Sequence, residues 1–312
     1  MSIYDYQGNI ITADVESIIV NVKDYGATGD GITDDASAIQ DALDALASTG
    51  GIIFFPKGTY TLKSSLIYYS YQSLIFENGA KLKSGLSSLN NLMRCYCDST
   101  ITGYNGTHDV RIIGGTFEGG SYQLDCTLLG MAHSKNILID RCSFLNGMVG
   151  YHNVEINSSS NVRITNCYFT RGNRVTSGGE MIQVDIPGTA QYPWDSVNAD
   201  GTICKYIEID NCYFTQNDTS TGIGNHNGSH KYIRIHDNVF DGITSERGAI
   251  DFSDGVSNVD IYNNTFVGCT IGIGSSGATY YIHDNRFVDA TTAISGSTSI
   301  SHNNMINGTY TA

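Results

Sequence analysis

From residue 110 onward, apolar and polar positions alternate in a recurring unit, (Val/Ile)-x-Ile-x-x-(Asn/Cys)-x-Phe. Copies run Val110 to Phe117, Ile137 to Phe144, Val162 to Phe169, Ile207 to Phe214, Ile233 to Phe240 and Val259 to Phe266, with a weaker one from Tyr281 to Phe287. A degenerate last copy, Ile300 to Met305, puts Met where Phe stood. The Phe-to-Phe steps are 27, 25, 45, 26, 26 and 21, so one coil carries a large loop, placed at 187–205. Each unit predicts a short strand, a sharp bend and a second strand. The rest of each period holds a third, such as Ile250 to Phe252 or Ile271 to Ile273. Three strands per period of about 25 residues predict an all-β fold, a single-stranded right-handed parallel β-helix. The Leu/Asn signature of a leucine-rich repeat is absent, and the period is too short for a propeller.

The position two before each Phe reads Gly115, Cys142, Cys167, Cys212, Asn238, Asn264 and Asn285, then Asn303 before Met305. Stacked coils turn that position into an internal ladder. Asn suits a left-handed bend there and can bond the next coil, while Cys fills the slot as a small buried residue. Of eight cysteines three sit on the ladder. The others show no framework spacing, which predicts free buried thiols rather than disulfides or a metal site.

The N-terminal third has a different period. Ala38, Ile39, Ala42, Leu43 and Leu46 share one face at helical spacing after Thr33-Asp34-Asp35, predicting a helix over about 34–47 that caps the first coil. Residues 1–20 read as a lead segment and 21–312 as one β-helix domain.

Charge narrows the partners. With 17 Lys+Arg against 31 Asp+Glu the net charge is −14. Such a surface repels nucleic acid and anionic membranes and weighs, less strongly, against a polyanionic sugar. No apolar run of membrane-spanning length occurs, and Met1 to Tyr6 has no secretory-signal pattern. The expectation is therefore synthesis in the cytoplasm, with a virion or prophage tail as one destination.

Asp24-Tyr-Gly-Ala-Thr-Gly-Asp-Gly-Ile-Thr-Asp-Asp35 and Gly51-Ile-Ile-Phe-Phe-Pro-Lys-Gly-Thr-Tyr60 resemble the entry segment of pectate-lyase-3-type proteins of the pectin-lyase-like superfamily. That group includes glycoside hydrolase family 28 relatives and bacteriophage tailspikes. With the repeats, the resemblance covers residues 20 to 308. It implies a polysaccharide partner without fixing a reaction, and its phage branch implies a homotrimer.

Aligning the third strands on their inward residues gives two outward rows. The first reads Gly130, Glu155, Gln183, Gly224, Asp251, Gly272, and the second Ala132, Asn157, Asp185, His226, Ser253, Gly274. Chemistry concentrates in the middle coils. Glu155 and Asp185 are expected about 8 Å apart on the diagonal, a spacing that suits the acid and base of an inverting glycosidase. Asp185 and His226 are expected as cross-strand neighbours sharing a proton. Glu155, Asp185, His226 and Asp251 are thus the candidate catalytic residues. Glu180, Gln183, Tyr192, Trp194 and Arg247 are the candidate sugar-binding ones, with the single Trp placed on the long loop for stacking. Glu155, Asp185, His226 and Arg247 follow the order of carboxylates, His and a basic residue in polygalacturonases. Yet Asn-Thr-Asp, Gly-His-Gly and Arg-Ile-Lys are all missing, and neither row carries a paired Asp-Asp. The leading expectation is a glycoside hydrolase acting on a neutral or weakly charged polysaccharide, of a bacterial surface or plant type, with no cofactor or metal. A lyase, using Ca²⁺ to offset the lack of Lys and Arg in either row, and a non-catalytic phage adhesin are the alternatives. A purely structural solenoid would not need Trp194 on a long loop beside an acidic row.

Overall fold

The computed structural model describes residues 18–86, 90–120, 126–147, 152–171, 179–188, 197–215, 220–253, 255–296 and 300–310. The chain winds as a right-handed parallel β-helix of three sheets, with 11, 12 and 9 strands among the described residues. Every pairing between named strands is parallel except the closing Met305–Ile306 with Thr309–Tyr310. Among the described residues, no helix is long and apolar enough to cross a membrane. The lead segment expected at 1–20 lies mostly outside the described residues.

The repeat unit explains the core. Phe117, Phe144, Phe169, Phe214, Phe240, Phe266 and Phe287 stack face to face with centroids 4.7 to 5.0 Å apart. That spacing is the separation of adjacent strands, so each coil adds one ring to a continuous column. Bend residues form a second column. Asn238 donates its backbone N–H and side-chain N–H to Asn264 Oδ1, Asn264 does the same to Asn285, and Asn285 to Asn304, all at 2.9 to 3.0 Å. In the middle coils sulfur takes the same part: Cys142 N–H points at Cys167 Sγ and Cys167 N–H at Cys212 Sγ, both at 3.4 Å. The seven described cysteines are free and buried.

Two expectations are corrected here. The last rung is Asn304 rather than Asn303, and Ile306 rather than Met305 stands opposite Phe287. Left-handed backbone belongs to the residue before each rung, at Arg141, Asn166, Asn211, Asp237, Asn263, Asp284 and Asn303. Rung side chains thereby keep an ordinary conformation in which they point inward, and the corner residue absorbs the strain.

The helix spans Ala36–Ala45 and buries Ala36, Ile39, Ala42 and Leu43. Asp35 does not cap it. Its carboxylate receives Thr28 and Gly29 N–H groups, and Asp34 accepts the Ala36 N–H instead. From the helix, Gln40 accepts the Ile67 N–H through Oε1 and donates Nε2–H to the Ile67 carbonyl. One side-chain amide thus pairs with the outermost strand of the third sheet, Leu66–Tyr68, as a neighbouring strand would.

Two corner loops are fastened together. Asn198 donates to the Ser99 carbonyl, Gly103 N–H to Asp200, and Tyr104 hydroxyl to the Ile203 carbonyl. Buried His133 lies between them, with Nδ1 at the Gly103 carbonyl and Nε2 at that of Asn198.

Candidate active site

The third sheet carries the rows in nearly the expected register. Gly130 pairs with Glu155, Glu155 with Gln183, Gln183 with Gly224, and Gly224 with Asp251. Asn157 pairs with Asp185, so Glu155 and Asp185 stand on the expected diagonal. The row slips at its end: Ile273, not Ile271, faces Ile250, because a shift of two leaves an apolar alternation unchanged. At its start the first row extends one coil further, where Gly130 pairs with Arg94. A cation does therefore belong to the rows, contrary to expectation.

The rows do not form an exposed groove. Glu155, Glu180, Gln183, Asp185 and Asp251 are all at most 2% exposed, whereas the His226 and Arg247 side chains are 46% and 37% exposed. Buried carboxylates lie beneath two cationic or proton-bearing side chains, and Arg247, expected as a sugar-binding residue, stands at the centre of the cluster. Its Nη1 donates to Glu180 at 2.7 Å, Nε to Asp251 at 2.9 Å and Nη2 to the Asn225 carbonyl at 3.2 Å.

Glu180 is the hub. Besides Arg247, its Oε1 faces His226 Nε2 at 3.2 Å, and Oε2 lies 3.6 Å from His152 Nδ1. Sequence alternation left it off both rows, as a sugar-binding candidate only. Met181 and Ile182 are both fully buried, so the strand Glu180–Asp185 breaks period two at its start. Gly224 makes room for it: a Cβ there would stand 3.1 Å from Glu180 Cγ and 2.4 Å from the Asp251 carbonyl oxygen.

Asp185 accepts backbone N–H groups from Ile186, Asn227 and His226 and the Gln183 amide N–H, at 2.9 to 3.3 Å. His226 is less its partner than expected, at 4.0 Å from Nδ1, and leans on Glu180. Asp251 is occupied structurally, holding Arg247 and both the N–H and hydroxyl of Ser276. Glu155 is held by Asn157 Nδ2 at 3.0 Å. Tyr192 and Trp194 lie outside the described residues.

Environment pushes the two central carboxyls apart. Burial raises Asp185 to about 6 against the opposing pull of its backbone donors and His226. Burial also disfavours charge on Glu180, but the His226 hydrogen bond and the charges of His152, His226 and Arg247 outweigh it and hold Glu180 at about 2. His226 in turn is raised, chiefly by its Glu180 bond. Gln183 Nε2 stands 2.9 Å from His226 Nδ1, so the neutral ring carries its proton on Nε2, toward Glu180. A second proton enters at Nδ1, and Gln183 must then turn its oxygen to the ring. That oxygen is buried without a hydrogen-bond partner.

A parallel β-helix with a His, Arg and carboxylate cluster across neighbouring coils of one sheet defines the class as a pectin-lyase-like protein. The chain belongs to the rhamnogalacturonase A/epimerase, pectate lyase-like family, whose model matches residues 19–178. It is similar to plasmin and fibronectin-binding protein A of Streptococcus pneumoniae, 30% identical over 249 residues, which is 70% of this chain and 34% of that protein. This chain thus spans about a third of that relative's length. The crystal structure of PfbA, a surface adhesin of Streptococcus pneumoniae, superposes with TM-score 0.74 at 24% identity, covering 93% of this chain and 80% of that one. An exopolygalacturonase from Thermotoga maritima gives TM-score 0.58 at 16% identity, covering 93% and 79%. Geobacillus virus E2 ORF18 gives 0.64 at 16%, covering 93% and 60%. These structural likenesses establish the shared fold.

Proposed function

We propose that this chain cleaves an acidic polysaccharide by hydrolysis at the Glu180–Asp185–His226–Arg247 cluster. One observation carries the proposal: two buried carboxyls on a single strand have opposite surroundings, Glu180 paired with Arg247 and His226, which keep it ionised, and Asp185 set among neutral amide donors, where burial favours its protonated form. Asp185 gives its proton to the leaving oxygen as the glycosidic bond breaks, and its carboxylate takes a proton back from the water that adds to the anomeric carbon. Glu180 stays ionised and positions His226 and Arg247. Arg247 has two N–H groups beyond its three internal bonds, enough to take a sugar carboxylate. The local cations reverse the repulsion that a net charge of −14 predicts at long range. No metal is called for. Turnover requires the half-exposed His226 imidazole to swing off Asp185 as the sugar binds, uncovering the carboxyl.

The test is release of reducing ends from polygalacturonate and other acidic glycans by wild type and Asp185→Asn. Hydrolysis by wild type and its loss in the variant support the assignment. An unsaturated product would replace it with elimination by a lyase. Binding without cleavage would leave the second reading, a surface or phage-tail adhesin. Burial of every cluster carboxylate favours that reading, as does likeness to PfbA over most of the chain.

A further inference from the structure

The loop that leaves the coil of Asp185 turns back along the solenoid. One coil upstream, the Thr202 carbonyl takes the Ser158 hydroxyl at 2.6 Å; two coils upstream, the Asn198 carbonyl meets His133 Nε2 at 2.7 Å. Three coils upstream it is held by Ser99, Gly103 and Tyr104, with the Lys205 ammonium 4.7 Å from the centre of the Tyr104 ring. A segment tied to three successive coils is a wall rather than a flap, since segments that open easily carry few such bonds.

Its course follows the second row of the third sheet. Ser158 and His133 are the residues directly after Asn157 and Ala132, and Ala132, Asn157 and Asp185 are paired in turn across their strands. None of these three row members has any exposed surface. The row changes character one strand beyond Asp185. There His226 is exposed, and half-buried Ser253, bridged to exposed Ser276, continues the open surface toward the C-terminal coils. The cluster therefore stands where a covered stretch of sheet gives way to an open one.

A polysaccharide laid along the sheet can reach this boundary from one side only. Its rings can lie over Ser253 and Ser276 and arrive at His226 and Asp185. A chain that ran on would need the space over Asn157 for its next ring, and the loop closes that space. Resting on the proposed hydrolysis for its chemistry, we propose that the site accepts the end of a polysaccharide chain and not its interior. Residues 197–203 are the wall, and Ser158, His133, Gly103 and Tyr104 are its anchors. Each cleavage then releases a fragment of one fixed length. The two ends of a sugar chain differ and the site is asymmetric, so one protein binds per chain.

Wild type acting on polygalacturonate should yield one fragment size from the start, with viscosity falling slowly for each bond cut. A ladder of sizes with a quick loss of viscosity overturns the proposal. Titration calorimetry of Asp185→Asn with oligogalacturonides of increasing length reads the same property without turnover. The ratio should stay at one protein per chain; a ratio that rises with length, or no binding by any oligomer, overturns it. If wild type cleaves nothing while the one-per-chain ratio holds, hydrolysis fails and end recognition stands. Combining Tyr104→Phe, Ser158→Ala and Asp200→Ala cuts three of the anchoring bonds, with circular dichroism as the check on folding. The folded triple variant should load several copies on a long chain and lose viscosity severalfold faster per bond cut. A single fragment size and a one-to-one ratio in that variant would show that the loop is not the wall.

Discussion

Two buried polar systems run through this solenoid, and they are built on opposite plans. The bend ladder repeats one solution from Cys142 to Asn304: each rung accepts the N–H of the rung before it. The third-sheet cluster repeats nothing. Glu180, Asp185, His226, Arg247 and Asp251 come from three coils, differ in kind, and leave Glu180 Oε2 and Gln183 Oε1 buried without a hydrogen-bond partner. Burial costs the ladder little because its groups are neutral and paired. In the cluster it acts on ionisable groups and shifts when they gain or lose protons. In a repeat protein, then, a polar residue that recurs with the coil serves stability, and one that interrupts the period is where chemistry collects.

Breaking each system should separate these roles. Asp185→Asn should lower turnover by about 10²–10⁴-fold, as loss of a proton donor does, with the fold retained. Comparable turnover in the variant would move the chemistry to another carboxyl, Glu155 being the next to test. Asn264→Ala should do the reverse. It orphans the Asn238 backbone and side-chain N–H groups at once, costing about 4 kcal/mol in a denaturant titration with little direct effect on the site. A cost below about 1 kcal/mol would show that the ladder is not what holds the bend.

Glu180→Gln should cost less, about 1–2 kcal/mol near neutral pH, because Arg247 and His226 are over a third exposed and water screens them. Its pH dependence is the sharper reading. Glu180 is depressed from 4.5 to about 2, so its contribution is complete above about 4.5 and is lost as pH falls through about 2. Wild type and variant should therefore converge in acid. Asp185 runs oppositely: raised from 3.8 to about 6, it contributes fully below about 3.8, and that contribution is lost as pH rises through about 6. Turnover, which needs its proton, should fall across the same upper limb. The smallest effect belongs to Cys212→Ser, about 1 kcal/mol, since a hydroxyl can still accept the Cys167 N–H. The native thiol should resist alkylation until the chain is unfolded, without added reductant.

How far the sequence carried follows from the same contrast. The Phe column and the ladder were legible because a core residue that stacks on its own copy must recur at fixed spacing. Only the last copy, lacking Phe, was read one residue early. Rows on the third sheet were legible as far as apolar alternation lasts. It fails at Met181 and Ile182, which left Glu180 off both rows, and it cannot distinguish Ile271 from Ile273. Arg94 was missed because the rows were begun one coil late. Burial of the carboxylates and the central place of Arg247 had no sequence signal, since both depend on how side chains reach across coils.

The fastened corner loops set a rule for how such a chain can change length. Ser99, Gly103 and Tyr104 reach Asn198, Asp200 and Ile203 across a fixed number of turns, with His133 in the gap between. A gene duplication that added one turn there would carry these partners about 5 Å out of reach and break every bond of the fastening. Beyond the coil of Asp251, past Arg247's own reach back to Glu180, an extra turn would add one more ring and one more rung. Lineages of this fold should therefore vary in turn count toward the C-terminal end, with the segment between the two loops conserved in number even where its sequence drifts.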